Sequence, residues 1–269
     1  MSSPILVTGG TGTLGRLVVP RLRETGREVR VLSRTNRRLG PGIEVVEGDL
    51  MTGAGVGSAL DAVETVLHLA GTAKDDDVKA ATLSRAAVGT GVRHLVYISV
   101  VGADRVPVTS AVDRAMFGYF ASKRAAERVV ESSGVPFTTL RASQFHELLL
   151  MTVSALARSP IVPVFSGFRF QPVAASEVAD RLVRLTLGAP AGLVDDLAGP
   201  QILGMDELVR GYLAPTGRRR LLVPVRLPGG AARAVRSGAN LAPDHAGGHQ
   251  TWTDFLAQRV PNAAHRPAA

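Results

Sequence analysis

The stretch Ile5-Leu6-Val7-Thr8-Gly9-Gly10-Thr11-Gly12-Thr13-Leu14-Gly15 carries the reading on which the rest of the chain depends. Its apolar run turns through glycines and continues as Leu14-Gly15-Arg16-Leu17-Val18-Val19-Pro20-Arg21-Leu22-Arg23, whose apolar residues recur at helical spacing. The pattern predicts strand, tight turn and helix. Each glycine has a task that a side chain would obstruct: the turn itself, close approach of the backbone to a pyrophosphate, and packing of the helix on the strand. The N–H groups at the start of the helix, with its dipole, then favour an anion. Gly9, Gly10, Thr11, Gly12, Thr13, Leu14 and Gly15 are therefore expected to form a phosphate-binding loop, against the alternative of a glycine-rich hairpin.

The chain that follows repeats the strand–helix alternation. Glu28-Val29-Arg30-Val31-Leu32 reads as a second strand ending in Ser33-Arg34-Thr35-Asn36-Arg37-Arg38. In a dinucleotide fold this tip meets the adenosine ribose, where an acidic residue binds the 2′-hydroxyl and repels a 2′-phosphate. Ser33, Arg34 and Arg38, with Arg37 near, favour NADPH over NADH; a solvated basic loop is the plainer alternative. A third strand, Ile43 to Gly48, delivers Asp49 and Leu50 to the same edge, where Asp49 can accept from the adenine amino group or cap a following short helix. Thr65 to Gly71 reads as a buried strand whose small Ala70-Gly71 end lets a cofactor lie close to the backbone. Asp75-Asp76-Asp77 then stands at the start of a helix running to about Val88 and reads as capping and dipole compensation. Strands at His94–Ser99 and Phe137–Arg141 flank a helix containing Tyr119 to Val130. The alternation predicts a doubly wound α/β Rossmann sheet with its ligand beyond the carboxyl ends of the strands.

Beyond Arg141 the pattern loosens. Helices are expected at Glu147–Ala157, Glu177–Leu187, Met205–Leu213 and Trp252–Arg259, with short strands near Val162 and at Leu221–Val225. The expected division is a Rossmann core over 1–160 and a smaller substrate-covering region over 161–269, partly packed back on the core, with a frayed tail at Asn262–Ala269.

Composition narrows the function classes. The chain has 269 residues, 45% apolar, and carries a formal charge of +8. Only three of its 31 basic residues are lysines, the arginines are scattered, and no aromatic-interleaved basic stripe argues for nucleic acid. There are no cysteines, which excludes disulfides and thiolate chemistry. No run of 18 apolar residues occurs, and Met1-Ser2-Ser3-Pro4 leads directly into the first strand, so a cytoplasmic protein without membrane contact is expected. His245 and His249 stand four apart, but Ala246-Gly247-Gly248 between them argues against a helical metal pair, and no metal is expected.

Taken together, Thr8-Gly9-Gly10-Thr11-Gly12-Thr13-Leu14-Gly15, Ser33-Arg34, Gly48-Asp49-Leu50, Val96-Tyr97-Ile98-Ser99, Tyr119-x-x-x-Lys123 and Leu140 to His146 resemble the short-chain dehydrogenase/reductase superfamily, in its atypical NmrA-like branch. The resemblance runs through about residue 188. It implies an NADPH-dependent reductase acting on a carbonyl or quinone of an apolar, possibly aromatic, small molecule, with Ser99, Tyr119 and Lys123 as catalytic residues. Tyr119 and Lys123, four apart, share a helical face, and an ammonium beside a phenol is expected to lower the phenol pKa. Lys123 is also expected to hold the nicotinamide ribose. Gln144, Phe145, His146 and Phe168 are candidate pocket residues, with His146 an alternative proton donor. Two other readings stand beside the reductase: a non-catalytic NADP(H) sensor acting on a protein partner, and an epimerase or isomerase that retains its nucleotide.

Overall fold

In a computed structural model that describes residues 3–35, 38–72 and 74–260, the opening stretch forms β1 (Ile5–Thr8), the glycine loop and α1 (Gly15–Glu24). Two glycines show why the loop has this composition. Gly9 has φ +71°, and a Cβ there would stand 2.7 Å from the backbone of Leu69 and Ala70, while a Cβ at Gly15 would meet the Gly9 carbonyl oxygen at 2.3 Å. Turn and helix close together only without side chains at these positions.

The next units are β2 (Val29–Ser33), β3 (Ile43–Glu47), α2 (Val56–Ala59), β4 (Thr65–His68), α3 (Asp76–Ala87), β5 (His94–Val100), α4 (Ala111–Glu131) and β6 (Phe137–Ala142). After α5 (His146–Leu156) come β7 (Ile161–Phe165), β8 (Arg169–Phe170), α6 (Ala175–Leu187) and β9 (Gly192–Leu193). The chain ends in β10 (Leu203–Gly204), α7 (Met205–Thr216), β11 (Leu221–Val225), α8 (Gly230–Arg236), a short turn of 3₁₀ helix and α9 (Trp252–Arg259). The main sheet has the order β3-β2-β1-β4-β5-β6-β9, parallel throughout. This is the doubly wound Rossmann arrangement read from the sequence, with the order reversing between β1 and β4.

Apolar layers cover both faces of the sheet. Val18, Val19 and Leu22 of α1 pack with Val178, Ala179 and Leu182 of α6 on one face. On the other, Ala80 and Leu83 of α3 pack with Ala126 and Val130 of α4. The division expected at residue 160 is thus only partial in space, because α6 and β9 belong to the main layers. A smaller apolar cluster joins α5, α7 and α9, and β11 pairs in parallel with β7 in a separate two-stranded sheet.

Three features lie outside the sequence reading. α4 starts eight residues before Tyr119, at a capping box in which Ser110 Oγ accepts from Asp113 N–H and the Asp113 carboxylate accepts from Ser110 N–H. β9 is too short to leave a periodic signal. Gly229-Gly230, where the sequence reading placed no helix, opens α8, and Asp113 Oδ1 accepts there from Ala231 N–H. Asn36, Arg37 and the tail from Asn262 fall outside the described residues.

Candidate active site

The glycine loop and the end of β4 meet first. Leu69 N–H donates to Thr8 O, and Ala70 passes directly against Gly9. Thr11, Gly12 and Thr13 are exposed, whereas the Leu14 side chain is buried in the core. The N-terminus of α1 has no side-chain cap and no acidic residue in its first turn, so nothing in its own sequence competes with an anion there. The loop fits a pyrophosphate on this observation. At the β2 tip, Ser33 Oγ accepts from Thr35 N–H at 3.3 Å, and Arg34 and Arg38 are exposed. Asp49 Oδ1 accepts from Met51 N–H at 2.8 Å, so one carboxylate oxygen is spent on the local turn. The Leu50 side chain is a correction: it is buried among Leu32, Val56 and Leu60 and presents no surface to a cofactor.

Lys123 lies against Gly71 in the loop that follows β4, only 3% exposed. α4 places it there because Lys123, Glu127 and Val130 share the face turned to the sheet. Its ammonium donates to Ile98 O at 3.1 Å and to Tyr97 Oη at 3.4 Å, and it pairs with Asp76 Oδ2 at 3.0 Å. Nζ also lies 5.8 Å from the centre of the Tyr119 ring, which brings the expected Tyr119–Lys123 pair together. Burial pushes the Lys123 pKa down, and the Asp76 carboxylate opposes that shift.

This geometry overturns the expectation that Lys123 acidifies Tyr119. The ammonium is already matched by a carboxylate, and the Tyr119 phenol is held above its ordinary pKa, first by partial burial and then by the Asp76 charge. Because 39% of the Tyr119 surface is open, water screens part of that shift. Tyr119 stays protonated through neutral pH.

Asp76 is the second correction. The N-cap position belongs to Asp75, which has φ +62° and makes no side-chain cap, whereas Asp76 is 1% exposed. Its Oδ1 accepts from Thr72 N–H at 2.7 Å, and its own N–H donates to Ser122 Oγ at 3.2 Å. A signal was available: Asp76, Ala80, Leu83 and Ala87 form the inward stripe of α3, so this acid faces the core.

Behind Lys123 a buried polar chain runs back to the glycine loop. The Tyr97 ring stacks on His68 at 5.5 Å, and His68 Nδ1 shares a hydrogen bond of 2.7 Å with Thr8 Oγ1. Burial, aided by the Lys123 charge, depresses the His68 pKa to about 3, so the ring is neutral. The sequence reading assigned none of these three a role.

Ser99 stands opposite Arg141 in the β5–β6 register and beside the Glu127 carboxylate, with no well-formed hydrogen bond among the described residues. Arg141 donates to Glu127 through Nε at 2.7 Å and Nη2 at 2.8 Å, and its Nη1 reaches Asp104 at 2.9 Å. Burial raises the Glu127 pKa, but Arg141, Ser99 and Arg124 together outweigh it and the carboxyl is held below its ordinary value.

The expected pocket residues do not gather in one place. His146 is fully buried, donates through Nε2 to Gln250 O at 3.1 Å, and stacks on Phe255 at 4.9 Å and Trp252 at 5.8 Å. It is a core histidine that pins α5 to α9, not a pocket residue or proton donor. Gln144 bridges segments, accepting from Gln171 N–H and donating to Asn240 O, and Phe145 packs against the main core. Phe168 packs on Phe117 and Phe165 and lines a cleft of about 370 Å³ with Phe165, Arg169, Met205, Arg210 and Pro224. Ser99, Tyr119 and Lys123 do not line that cleft.

A parallel sheet with a glycine loop at its switch point, and a Tyr–Lys pair beside the loop that follows β4, fits the atypical short-chain dehydrogenase/reductase type. A family model described as NAD(P)H-binding matches residues 9–148, and the chain belongs to this family. It is 32% identical over 212 residues to the (4-alkanoyl-5-oxo-2,5-dihydrofuran-3-yl)methyl phosphate reductase of Streptomyces griseus, covering 76% of this chain and 70% of that protein. To the NAD(P)H azoreductase of Xenophilus azovorans it is 26% identical, over 98% of this chain and 94% of the relative. In fold it matches an NADPH-dependent quinone oxidoreductase of Escherichia coli complexed with NADPH, with a TM-score of 0.79 and 20% identity over 94% of this chain and 99% of the other. The protein is an NAD(P)H-dependent oxidoreductase. Among the described residues no helix is long and apolar enough to cross a membrane.

Proposed function

We propose that the protein prefers NADPH and reduces a quinone, or another carbonyl conjugated to an apolar and possibly aromatic system, in a small-molecule substrate. The observation that carries this reading is the exposed, protonated Tyr119 beside a Lys123 whose charge is already neutralised by Asp76. Bound NADPH supplies a hydride to the acceptor carbon. Tyr119 donates its hydroxyl proton to the acceptor oxygen, and solvent at the open ring replaces it. A phenol without enhanced acidity suits an acceptor whose new negative charge spreads over a conjugated system better than an isolated ketone, which needs a stronger acid at the moment of hydride addition. Lys123, fixed against Ile98 O and Tyr97 Oη, gives the nicotinamide side of the site a buried cation. Exposed Arg34 and Arg38 suit a 2′-phosphate at the β2 tip. The similarity to an azoreductase and to a reductase of an acylated dihydrofuranone phosphate supports a conjugated acceptor.

The test is NADPH oxidation across a panel of quinones, conjugated enones and isolated ketones, run beside NADH and repeated with Tyr119→Phe. Quinone-dependent turnover that is faster with NADPH and falls at least tenfold in the variant is expected. Tight NADPH binding with no turnover on any acceptor overturns the reading and leaves the sensor.

A further inference from the structure

The site contains a carboxylate that neither the glycine loop nor the Tyr–Lys pair accounts for. Asp76 and Lys123 are almost wholly removed from water, at 1% and 3% exposure, and their Oδ2 and Nζ atoms are 3.0 Å apart. Leaving one such charge buried without the other is strongly unfavourable, so the two are held as a unit. Their position is dictated by the adjoining loop. A Cβ at Gly71 would stand 2.8 Å from Lys123 Nζ and 3.1 Å from Asp76 Oδ2, which means the pair lies directly against the backbone that follows β4. Asp76 is tied to the same loop by Thr72 N–H and to α4 by Ser122 Oγ. It therefore spans loop and helix at the point where Lys123 enters the site.

We infer that Asp76 is a positioning residue of this reductase: the buried counter-ion that fixes the Lys123 ammonium against Gly71, between the β4 loop and Tyr119. The inference rests on the reading of Lys123 as a site residue. Without the carboxylate, the ammonium would face the Tyr97 hydroxyl, the Tyr119 ring, neutral His68 and the Ile98 carbonyl, with Lys79 adding a like charge. Glu127, one turn along α4, is already committed to Arg141, and Asp77 does not pair with Lys123 among the described residues. Burial is then opposed only by the more distant Glu127 charge, and lysine gives up its proton at lower pH. A neutral amine still fills the space, but it no longer presents a cation to the reacting centre.

The chain has only three lysines, Lys74, Lys79 and Lys123, so the charge of Lys123 can be read directly. With 13C-labelled lysine, the Lys123 Cε resonance, assigned by its loss in Lys123→Met, is followed from pH 6 to 11 in the wild type, Asp76→Asn and Asp76→Glu. The expected result is a Lys123 titration midpoint at least one pH unit lower in Asp76→Asn, a tenfold loss of proton affinity, with partial return in Asp76→Glu. In quinone turnover, the alkaline limb of kcat should move down by the same amount while KM for NADPH changes less than threefold. If Asp76→Asn does not fold, Gly71→Ala replaces it, because its methyl group displaces the pair without removing a charge and should move the midpoint the same way. An unchanged Lys123 titration in the folded variant overturns the inference. If the wild type turns over no acceptor, the proposed function fails while the resonance still decides the role of Asp76.

Discussion

α4 carries two buried charges one helical turn apart, Lys123 and Glu127, and the protein holds them in opposite ways. Glu127 is gripped by a two-pronged guanidinium at 2.7 and 2.8 Å, with Arg124 adding a third donor at 2.9 Å. Lys123 has one carboxylate oxygen, one carbonyl and a longer contact to a phenol. A bidentate guanidinium–carboxylate pair has one geometry and resists displacement, whereas an ammonium with several looser partners can exchange one of them for a ligand. The first arrangement locks α4 to β6. The second leaves a cation poised where the β4 loop, Tyr119 and the glycine-loop side of the sheet converge. On the proposed function, stability and chemistry thus share one helix face but are separated by about 6 Å of rise, little more than one turn.

The largest test of this contrast removes the cation from each pair. Arg141→Met strips Glu127 of its two-pronged donor, leaving only the partly exposed Arg124 at 2.9 Å, and is expected to lower the unfolding free energy by up to about 3–5 kcal/mol. Lys123→Met should cost less, because Asp76 keeps the Thr72 N–H and Lys79 at 3.5 Å. Turnover should show the reverse order, with Lys123→Met losing about 10²–10⁴-fold in kcat and folded Arg141→Met losing far less. Denaturant titration and initial rates on the same preparations check both halves. Equal stability losses together with equal rate losses would erase the distinction between the two pairs.

A cation outside the core offers a smaller effect. Arg34 is exposed at the β2 tip, and Ser33 beside it pairs in register with Glu47 of β3. A charge-assisted hydrogen bond to a 2′-phosphate contributes roughly 1.5–3 kcal/mol. Arg34→Ala should therefore reduce the ratio of kcat/KM for NADPH over NADH by roughly 10–100-fold. The change should sit in the NADPH value and shrink at high salt, unlike the effects at the buried pairs. A ratio that does not move would place the 2′-phosphate elsewhere or remove the preference for it.

The two pairs also mark what the sequence could disclose. The glycine loop, the strand order and the Tyr119-x-x-x-Lys123 spacing are local patterns, and the fold follows from them because each strand and helix has its own periodicity. Asp76, Glu127 and Arg141 are charges on inward faces, and their meaning depends on contacts between elements 14 to 47 residues apart. Asp76 looked like a cap because it stands in an acidic run at a helix start, yet its position on the Ala80–Leu83–Ala87 stripe pointed inward. His146 failed as a pocket residue for a related reason. The aromatic stack that buries it comes from α9, more than a hundred residues later, and no local pattern reports that contact.

The smallest expected effect separates the pairs by pH. His68 belongs to the Lys123 side through Tyr97, and its folded pKa of about 3 lies below the ordinary 6.5. Below pH 6.5 the unfolded chain takes up a proton that the folded chain refuses, so the stability from neutral His68 is complete above pH 6.5 and is lost progressively as pH falls toward 3. Glu127, held below its ordinary 4.5 by Arg141, keeps its contribution until the pH drops beneath about 4.5. Between pH 6.5 and 4.5 the Lys123 side responds and the Glu127 side does not. His94 and His146, also pushed down by burial, add their own slopes in this window, so the measurement has to be a difference. The wild type should lose up to about 1.4 kcal/mol per pH unit more than His68→Gln between pH 6 and 5, because that is the value of one proton per unit. Denaturant midpoints of the two proteins at pH 7.0, 6.0 and 5.0 check this. Parallel declines would mean that His68 is protonated in the fold, and the polar chain from Thr8 to Lys123 would then carry a second positive charge beside the ammonium it is built to isolate.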